Sequence, residues 1–558
     1  MRHLNKYYHL YLLGLIVLVA IVLRFYLLGK VPASPDWDEA SLGYNAYSLL
    51  LTGHDEYAKF LPPVIESFGD FKPALYAYLA IPSIAIFGLD VFAVRFPGAV
   101  FGVVGVVATY YLVEELFKKK KIALLSSFFL AISPWSLQFS RVAFEAAVGD
   151  TFVILTVLFF LKGLKRTWLL YLSVIFAALN LYTYQSEKVF SPLIFLLMII
   201  VFYKPLLQKS KVVLVTLFFL GIIVASPMAI YTLTNSNSLE RLTATDIFAT
   251  YSPSPKPPTW LLNLTPIENL QDKQRHDILG LILDNRKVIL TEQIMSNYLM
   301  HFNPNWLLMP DNTAPRHHAP QMGLIYIWDF LFLLVGIYTL IFSKFENRTK
   351  ILVFGWFLLS PLPASVTIDV PHAVRTLNFL PTFQIYTALG LLSVISFIKT
   401  RYGHKLSIAS GIVITLALIF NVGFYLDNYF VQYNYYNSQD WQYGYSQLVP
   451  YLQSQENNYK KIIISNAVPL DQSYIFFLFY LKYPPAQYQH IAKLLGGHYT
   501  QDHAFGEFEF RSISMRELKQ PVKGYLYVIG ANQTVGGDDV VKTIYYLNHQ
   551  PAFAIIKG

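Results

Sequence analysis

Pro73-Ala-Leu-Tyr-Ala-Tyr-Leu-Ala-Ile-Pro-Ser-Ile-Ala-Ile-Phe-Gly-Leu89 is the stretch on which the topology of this chain turns. It is apolar enough to enter a membrane, yet it is short for a span and carries Pro82 in its interior. A crossing helix needs about 20 apolar residues to cover roughly 30 Å of hydrocarbon with its backbone groups bonded internally. The segment could therefore cross or lie at the surface. Basic residues decide between the two, because cytoplasmic loops collect Lys and Arg. They cluster at 118–121, at Lys162, Lys165 and Arg166, at Lys204, Lys209 and Lys211, at Lys344, Arg348 and Lys350, and at Lys399, Arg401 and Lys405. Each cluster lies two apolar runs from the next. With Arg2 and Lys6 also inside, the alternation holds only if residues 73–89 do not cross.

The rest of the chain agrees with a membrane reading. Of its 558 residues 54% are hydrophobic and 14% charged, with a mean hydropathy of +0.42, so the apolar residues exceed what one globular core absorbs. The first run, 8–28, is longer than a signal-peptide core and reads as a retained helix. Further runs begin near Phe96, Ile122, Ala146, Thr167, Val189, Lys211, Gly323, Ile351, Asn378 and Lys405, giving about eleven spans. The net charge of +9 lies mostly in short loops, where orientation explains it, and nucleic acid is not expected as a partner. The absence of cysteine removes disulfides and thiolate metal sites.

These readings predict an α-helical polytopic protein with a membrane domain at 1–429, outer loops at 29–95 and 232–322, and a small α/β domain at 430–558 on the outer side. In the tail, 461–468, 474–483, 508–514 and 524–530 read as strands or short helices. The stretch 432–445 is rich in Tyr and Asn and contains Trp441, which suits an interfacial belt better than a sugar-stacking platform. Internal repeats and low-complexity tracts are absent from the sequence. The expected location is the plasma membrane, with a cytoplasmic N-terminus and an extracytoplasmic tail.

Ser34-Pro-Asp-Trp-Asp-Glu-Ala40 places three carboxylates in four positions just beyond the first helix. Alone this would be a solvated loop. Its neighbours are Gly53-His-Asp-Glu56, Phe68-Gly-Asp-Phe-Lys-Pro73 and Val94-Arg-Phe-Pro97. That order resembles the GT-C glycosyltransferases of the protein O-mannosyltransferase type, in particular the bacterial group that includes the aminoarabinose transferases of lipid A. There an Asp-Glu pair follows the first helix, a basic or His residue precedes Pro before a juxtamembrane helix, and an Arg opens the second span. Asp38-Glu39, Lys72-Pro73 and Arg95 stand at those positions. The resemblance continues through Ser133-Pro-Trp135, Arg141 and Glu145, less distinctly through His301-Phe-Asn-Pro304 and Arg316-His-His318, and covers residues 1 to about 425. A second Pro common in the family is here Ala74, and the tail does not resemble the lumenal domains of the eukaryotic mannosyltransferases.

The resemblance implies a transferase that moves a sugar, with inversion, from a polyprenyl-phosphate donor to a hydroxyl of a protein, lipid or glycan acceptor on the outer face. An inverting transfer needs a carboxylate opposite the departing phosphate, which makes Asp38 the expected general base and Glu39 its support. The donor also needs cations at the membrane boundary. Lys72, Arg95 and Arg375 are expected to bind its phosphate, whereas Arg24 reads as snorkelling and Arg141 fits either role. Glu145 lies one turn from Arg141 and could pair with it, with acceptor binding as its second reading. His317 could support the acceptor. Adjacent His317 and His318 project differently and have no acidic partner at ligand spacing, so no metal is expected there. No cofactor is required, and a divalent cation is compatible but not indicated. The rival readings are a polysaccharide ligase or polymerase, a transporter, and a glycan-binding receptor. Ligases usually carry their key Arg and His in a later loop, and transporters need midmembrane charges and repeats.

Overall fold

The computed structural model describes residues 2–235, 271, 273–283, 286–311, 313–495, 502–534 and 539–558. Most of the expected outer loop 232–322 up to residue 270 lies outside them. The first helix, α1 (Arg2–Phe25), is followed by an excursion containing α2 (Trp37–Thr52), the hairpin strands β1 (Val64–Ser67) and β2 (Asp70–Pro73), and α3 (Leu75–Phe87). The chain then forms α4 (Val91–Phe117), α5 (Lys120–Ile132), α6 (Pro134–Ser140) and α7 (Ala146–Gly163).

Side-chain contacts fix how these helices run. His9 in α1 meets Lys120 Nζ, so the start of α1 and the end of α4 share one end of the bundle. At the other end Arg95, near the start of α4, donates to the carbonyl of Leu28, just past α1, at 3.2 Å. The excursion from α1 to α4 therefore leaves and returns at one end, and α3 makes no net crossing. The basic loops gather at the opposite end: Glu115 pairs with both Lys118 and Lys165 at 2.7 Å, Lys209 donates to the Leu164 carbonyl at 2.7 Å, and Arg348 lies over the Phe202 ring at 5.9 Å.

Each segment expected to span is helical, but the helices differ in reach. Tyr7–Phe25, Val91–Phe117, Ala146–Gly163, Lys211–Thr234, Leu377–Tyr402 and His404–Asn437 are long and apolar enough to cross, six among the described residues. The pair α5 and α6, bent by 56° at Ser133-Pro134, makes a seventh if it counts as one broken span. Helices such as Trp168–Leu179 and Asn347–Leu359 are shorter. At about 1.5 Å per residue they reach only ~20 Å. Helices Ile327–Phe342 and Thr382–Tyr402 touch backbone to backbone. A Cβ at Gly336 would fall 1.8 Å from the Tyr386 carbonyl oxygen, which small residues alone permit.

The tail folds as a six-stranded mixed sheet in the order β4-β5-β3-β6-β8-β7. Its strands are β3 (Lys461–Ser465), β4 (His503–Phe505), β5 (Phe508–Arg511), β6 (Tyr525–Gly530), β7 (Val540–Tyr545) and β8 (Pro551–Lys557), with β3 parallel to both β5 and β6. The expected segments at 461–468, 508–514 and 524–530 hold strands, and 474–483 holds the helix Ser473–Tyr480. One sheet face packs Ile462, Ile464, Phe510 and Val528 into a core continuous with Leu42, Tyr44 and Val94. The tail is thus built onto the excursion rather than tethered beside it. Gln489 Nε2 reinforces the joint, donating to Ser48 and Thr52 hydroxyls at 2.9 Å.

Trp441 departs from the expected interfacial belt. Its side chain is buried, donates to the Tyr433 hydroxyl at 3.0 Å, and lies 5.6 Å from the Arg95 guanidinium. It serves as a wedge between the membrane helices and the tail, because its ring has apolar neighbours on one side and a cation on the other.

Candidate active site

The acidic triplet begins a helix rather than filling a loop. Asp36 caps α2, accepting the Glu39 backbone N–H at 2.8 Å, while the Glu39 carboxylate accepts the Asp36 N–H at 3.3 Å. This reciprocal box satisfies donors that the first turn leaves free. Consecutive helical residues point about 100° apart, so the three carboxylates fan out, and each meets its own cation.

Asp36 is buried and pairs with Arg316 Nη1 at 2.5 Å. Burial pushes its carboxyl up, to about 7, against the pull of Arg316. Glu39 is fully buried and takes a bidentate bond from Arg95, Nε to Oε1 at 2.8 Å and Nη2 to Oε2 at 2.7 Å. The Ala143 N–H adds a bond to Oε1 at 2.7 Å. Arg95 spends its other donors on the carbonyls of Leu28, Pro32 and Ser34. Both partners are sealed: neither side chain has any exposed surface.

Asp38 differs. It pairs with Lys72, at the end of the β hairpin, but 35% of its side chain stays exposed, against 7% for Lys72. Burial works to lower the Lys72 pKa, yet the charges of Asp38, Asp70 and Glu145 together outweigh it and hold it above the usual value. Glu145, itself buried, thus belongs to the Lys72 surroundings. Arg141 turns to the end of α1, donating to the carbonyls of Leu23, Arg24, Tyr26 and Val31, with Phe430 4.7 Å from its guanidinium. Arg24 does not snorkel. It is buried and donates to the Ala131 carbonyl and the Ser136 hydroxyl.

Next to this turn lies a cleft of about 860 Å³ between the membrane part and the tail. Trp37 lines it, with its ring 5.4 Å from the Arg316 guanidinium. On the membrane side His317 and His372 face each other, ring centroids 4.9 Å apart. Burial, then the Arg316 charge, brings His317 down to about 3; burial and Arg375 likewise lower His372. Both rings are therefore neutral near pH 7 and can share hydrogen bonds but supply no charge. Arg375 stands behind them, bonded to the Thr367 hydroxyl at 2.8 Å and 3.7 Å from the Asp369 carboxylate. The structure accordingly brings Asp38, Lys72 and Glu145 together, sets Glu39 and Arg95 in a sealed pair on the same helical turn, and places Arg375 beside His372, which lines the cleft with His317. Among the described residues no group of three metal-ligating side chains forms. Asp36 and Arg316, which bound this arrangement, were singled out only as parts of longer motifs. The Asp-x-x-Glu spacing of the capping box was the signal for the helix.

Residues 71–231 match the sequence model of the dolichyl-phosphate-mannose-protein mannosyltransferase family. No curated protein matches the chain by sequence. Among solved structures, ArnT from Cupriavidus metallidurans bound to undecaprenyl phosphate shares the fold with a TM-score of 0.57 at 10% identity, over 97% of both chains. The oligosaccharyltransferase of Archaeoglobus fulgidus, solved with a tethered acceptor peptide, has a TM-score of 0.51 at 15% identity over 90% of this chain. This chain spans about three fifths of that protein's length, 61%. The chain thus shares the fold of these two membrane glycosyltransferases over nearly its whole length, and residues 71–231 carry the sequence pattern of the mannosyltransferase family.

Proposed function

We propose that this protein transfers a sugar from a polyprenyl-phosphate donor to an acceptor hydroxyl, with inversion, at the membrane end where α2 lies. The observation that carries this is the Asp38–Lys72 pair: within a GT-C fold, one carboxylate of the first turn of α2 stays partly open while its neighbours are sealed. Similar proteins support the donor class, since ArnT was solved with undecaprenyl phosphate and the Archaeoglobus enzyme with a dolichol phosphate.

The step balances as follows. The acceptor oxygen attacks the anomeric carbon of the sugar as its proton passes to an Asp38 oxygen, and the carbon–oxygen bond to the phosphate breaks with its electron pair leaving on the polyprenyl phosphate. Arg316 and Arg375, on either side of the neutral histidine pair, are the cations for that developing charge, and Lys72 couples Asp38 to it. Arg95 acts through Glu39, as the positioning residue that fixes the first turn of α2. The basic loops face the cytoplasm, the tail lies outside, and the host membrane is the plasma membrane.

Purified protein given a polyprenyl-phosphate hexose labelled in the sugar should release polyprenyl phosphate. Asp38→Asn, nearly unchanged in size, should lower transfer about 10²–10⁴-fold while the protein stays folded. A near-normal rate in that variant would remove Asp38 as the base.

A further inference from the structure

The cleft has two chemically different walls. The membrane wall carries the cation Arg316 with His317 and His372, Arg375 behind them, and the carboxylates of Asp311 and Asp369. The tail wall presents Gln439, Asp440, Gln442, Asp471 and the rings of Tyr546 and Phe553. Among the described residues lining the cleft, the tail supplies no Lys, Arg or His. An anionic acceptor laid on this wall would meet two carboxylates and no cation, whereas hydroxyl groups would find carboxylate and amide acceptors, each able to take more than one hydrogen bond.

Gln442 strengthens the argument. It sits at φ 44°, in the left-handed region that a non-glycine residue enters at a cost, and its Oε1 is buried without a hydrogen-bond partner in the protein. A buried acceptor oxygen without a donor is destabilising, and a ligand hydroxyl is the group that would offset it. Trp37 stands at the same cleft, one residue before Asp38, as a flat apolar face on which a sugar ring can stack. A peptide acceptor held by strand addition would use an open strand edge to pair with its main chain. The cleft offers side chains and the 468–471 turn instead.

We infer that the acceptor is an uncharged, hydroxyl-rich glycan, gripped by Gln439, Asp440 and Gln442 with a sugar ring against Trp37, so that the tail is the acceptor-selecting element. The inference rests on the glycosyl-transfer reading above and deepens it.

The test uses the purified full chain, a labelled polyprenyl-phosphate hexose and three kinds of added acceptor: uncharged gluco-, galacto- and manno-tetraoses, the same tetraoses carrying a 6-phosphate, and a Ser/Thr hexapeptide. At least one uncharged tetraose should accept the sugar, at ten times or more the rate of its phosphorylated form. Gln442→Ala should raise KM for that tetraose about tenfold with a smaller change in kcat. Asp440→Asn combined with Asp471→Asn should narrow the discrimination against the phosphorylated form, a shift that general loosening of the fold would not produce. Transfer to the peptide, or preference for the phosphorylated tetraose, overturns the inference. Donor hydrolysed by water with no transfer to any tetraose overturns it too, while leaving the donor chemistry intact. No turnover of donor under any condition defeats the glycosyl-transfer reading itself.

Discussion

Glu39 and Asp38 are neighbours in one helical turn, each is paired with one cation, and the two pairs are used in opposite ways. Arg95 and Glu39 share a bidentate contact with no exposed surface, and the remaining guanidinium donors end on backbone carbonyls. Lys72 and Asp38 also pair, but 35% of the Asp38 side chain stays exposed. The contrast shows how α2 divides its labour. Its sealed face, which runs from Glu39 through Gly43 and Asn45, anchors the first turn between α4 and the tail; on its open side Trp37 lines the cleft and Asp38, the next residue, stays partly exposed.

The largest effect that would break this division is expected at Arg95. Removing one partner of a buried pair leaves an uncompensated charge and costs about 3–5 kcal/mol. Arg95→Ala should therefore fail to accumulate or melt far below the wild type in detergent. Pairing it with Glu39→Gln, which removes the stranded charge, should recover part of the loss. If Arg95→Ala were as stable as the wild type but defective with donor, Arg95 would belong to the phosphate site after all and the two pairs would not differ in kind.

A smaller effect is expected at Gly43. A Cβ there would lie 2.6 Å from Val94 Cγ2 and 2.9 Å from Phe479 Cε2, so the helix is pressed between α4 and the tail with no room for a methyl group. Gly43→Leu forces these apart at about 1–3 kcal/mol. Thermal melting together with limited proteolysis of the tail should report it, with the tail cleaved sooner in the variant. A tail that resists protease as well as in the wild type would show that the sealed face does not hold it.

What the sequence disclosed and what it hid divide along the same line. Runs of apolar residues and basic loops give depth in the membrane, and the excursion does return to the end of the bundle that it leaves. They give no azimuth around the bundle. Lys72, Arg95 and Arg375 lie at similar depth and so read as one phosphate site, whereas the structure separates them onto Asp38, Glu39 and the far side of the His317–His372 pair. The Arg95–Glu39 pair joins residues far apart in sequence, and nothing local marks it. By contrast Asp36-Trp-Asp-Glu39 was a legible capping box, obscured because three acids together suggested chemistry before structure. The strands Val540–Tyr545 and Pro551–Lys557 lie outside the segments read from the sequence, although Val540, Val541, Thr543 and Ile544 carried the β-branched signal for the first.

The smallest effect sharpens the comparison from behind the sealed face. Glu56 is buried, and its Oε1 accepts from Asn45 Nδ2 at 3.1 Å and from the Ser67 hydroxyl at 3.0 Å, while Oε2 has no partner. Burial pushes its carboxyl up to about 8, against the opposing pull of Asn45, Ser67 and the nearby Lys72 charge. A folded-state value above the ordinary one of about 4.3 means that the folded protein keeps a proton which the unfolded chain releases. The associated stability is fully present below the unfolded value and is lost as pH rises toward 8. Glu56→Gln, which keeps the Oε1 acceptor and never ionises, should therefore differ least from the wild type in melting temperature near pH 4 and exceed it by a margin that widens up to pH 8.5. The reason this bears on Asp38 is electrostatic. A neutral Glu56 leaves the Lys72 ammonium to Asp38, whereas an ionised Glu56 would compete for it. Melting curves of the two proteins that stay parallel from pH 5 to 8.5 would mean that Glu56 does not change charge over that range, and the open pair would then owe nothing to a neutral group behind it.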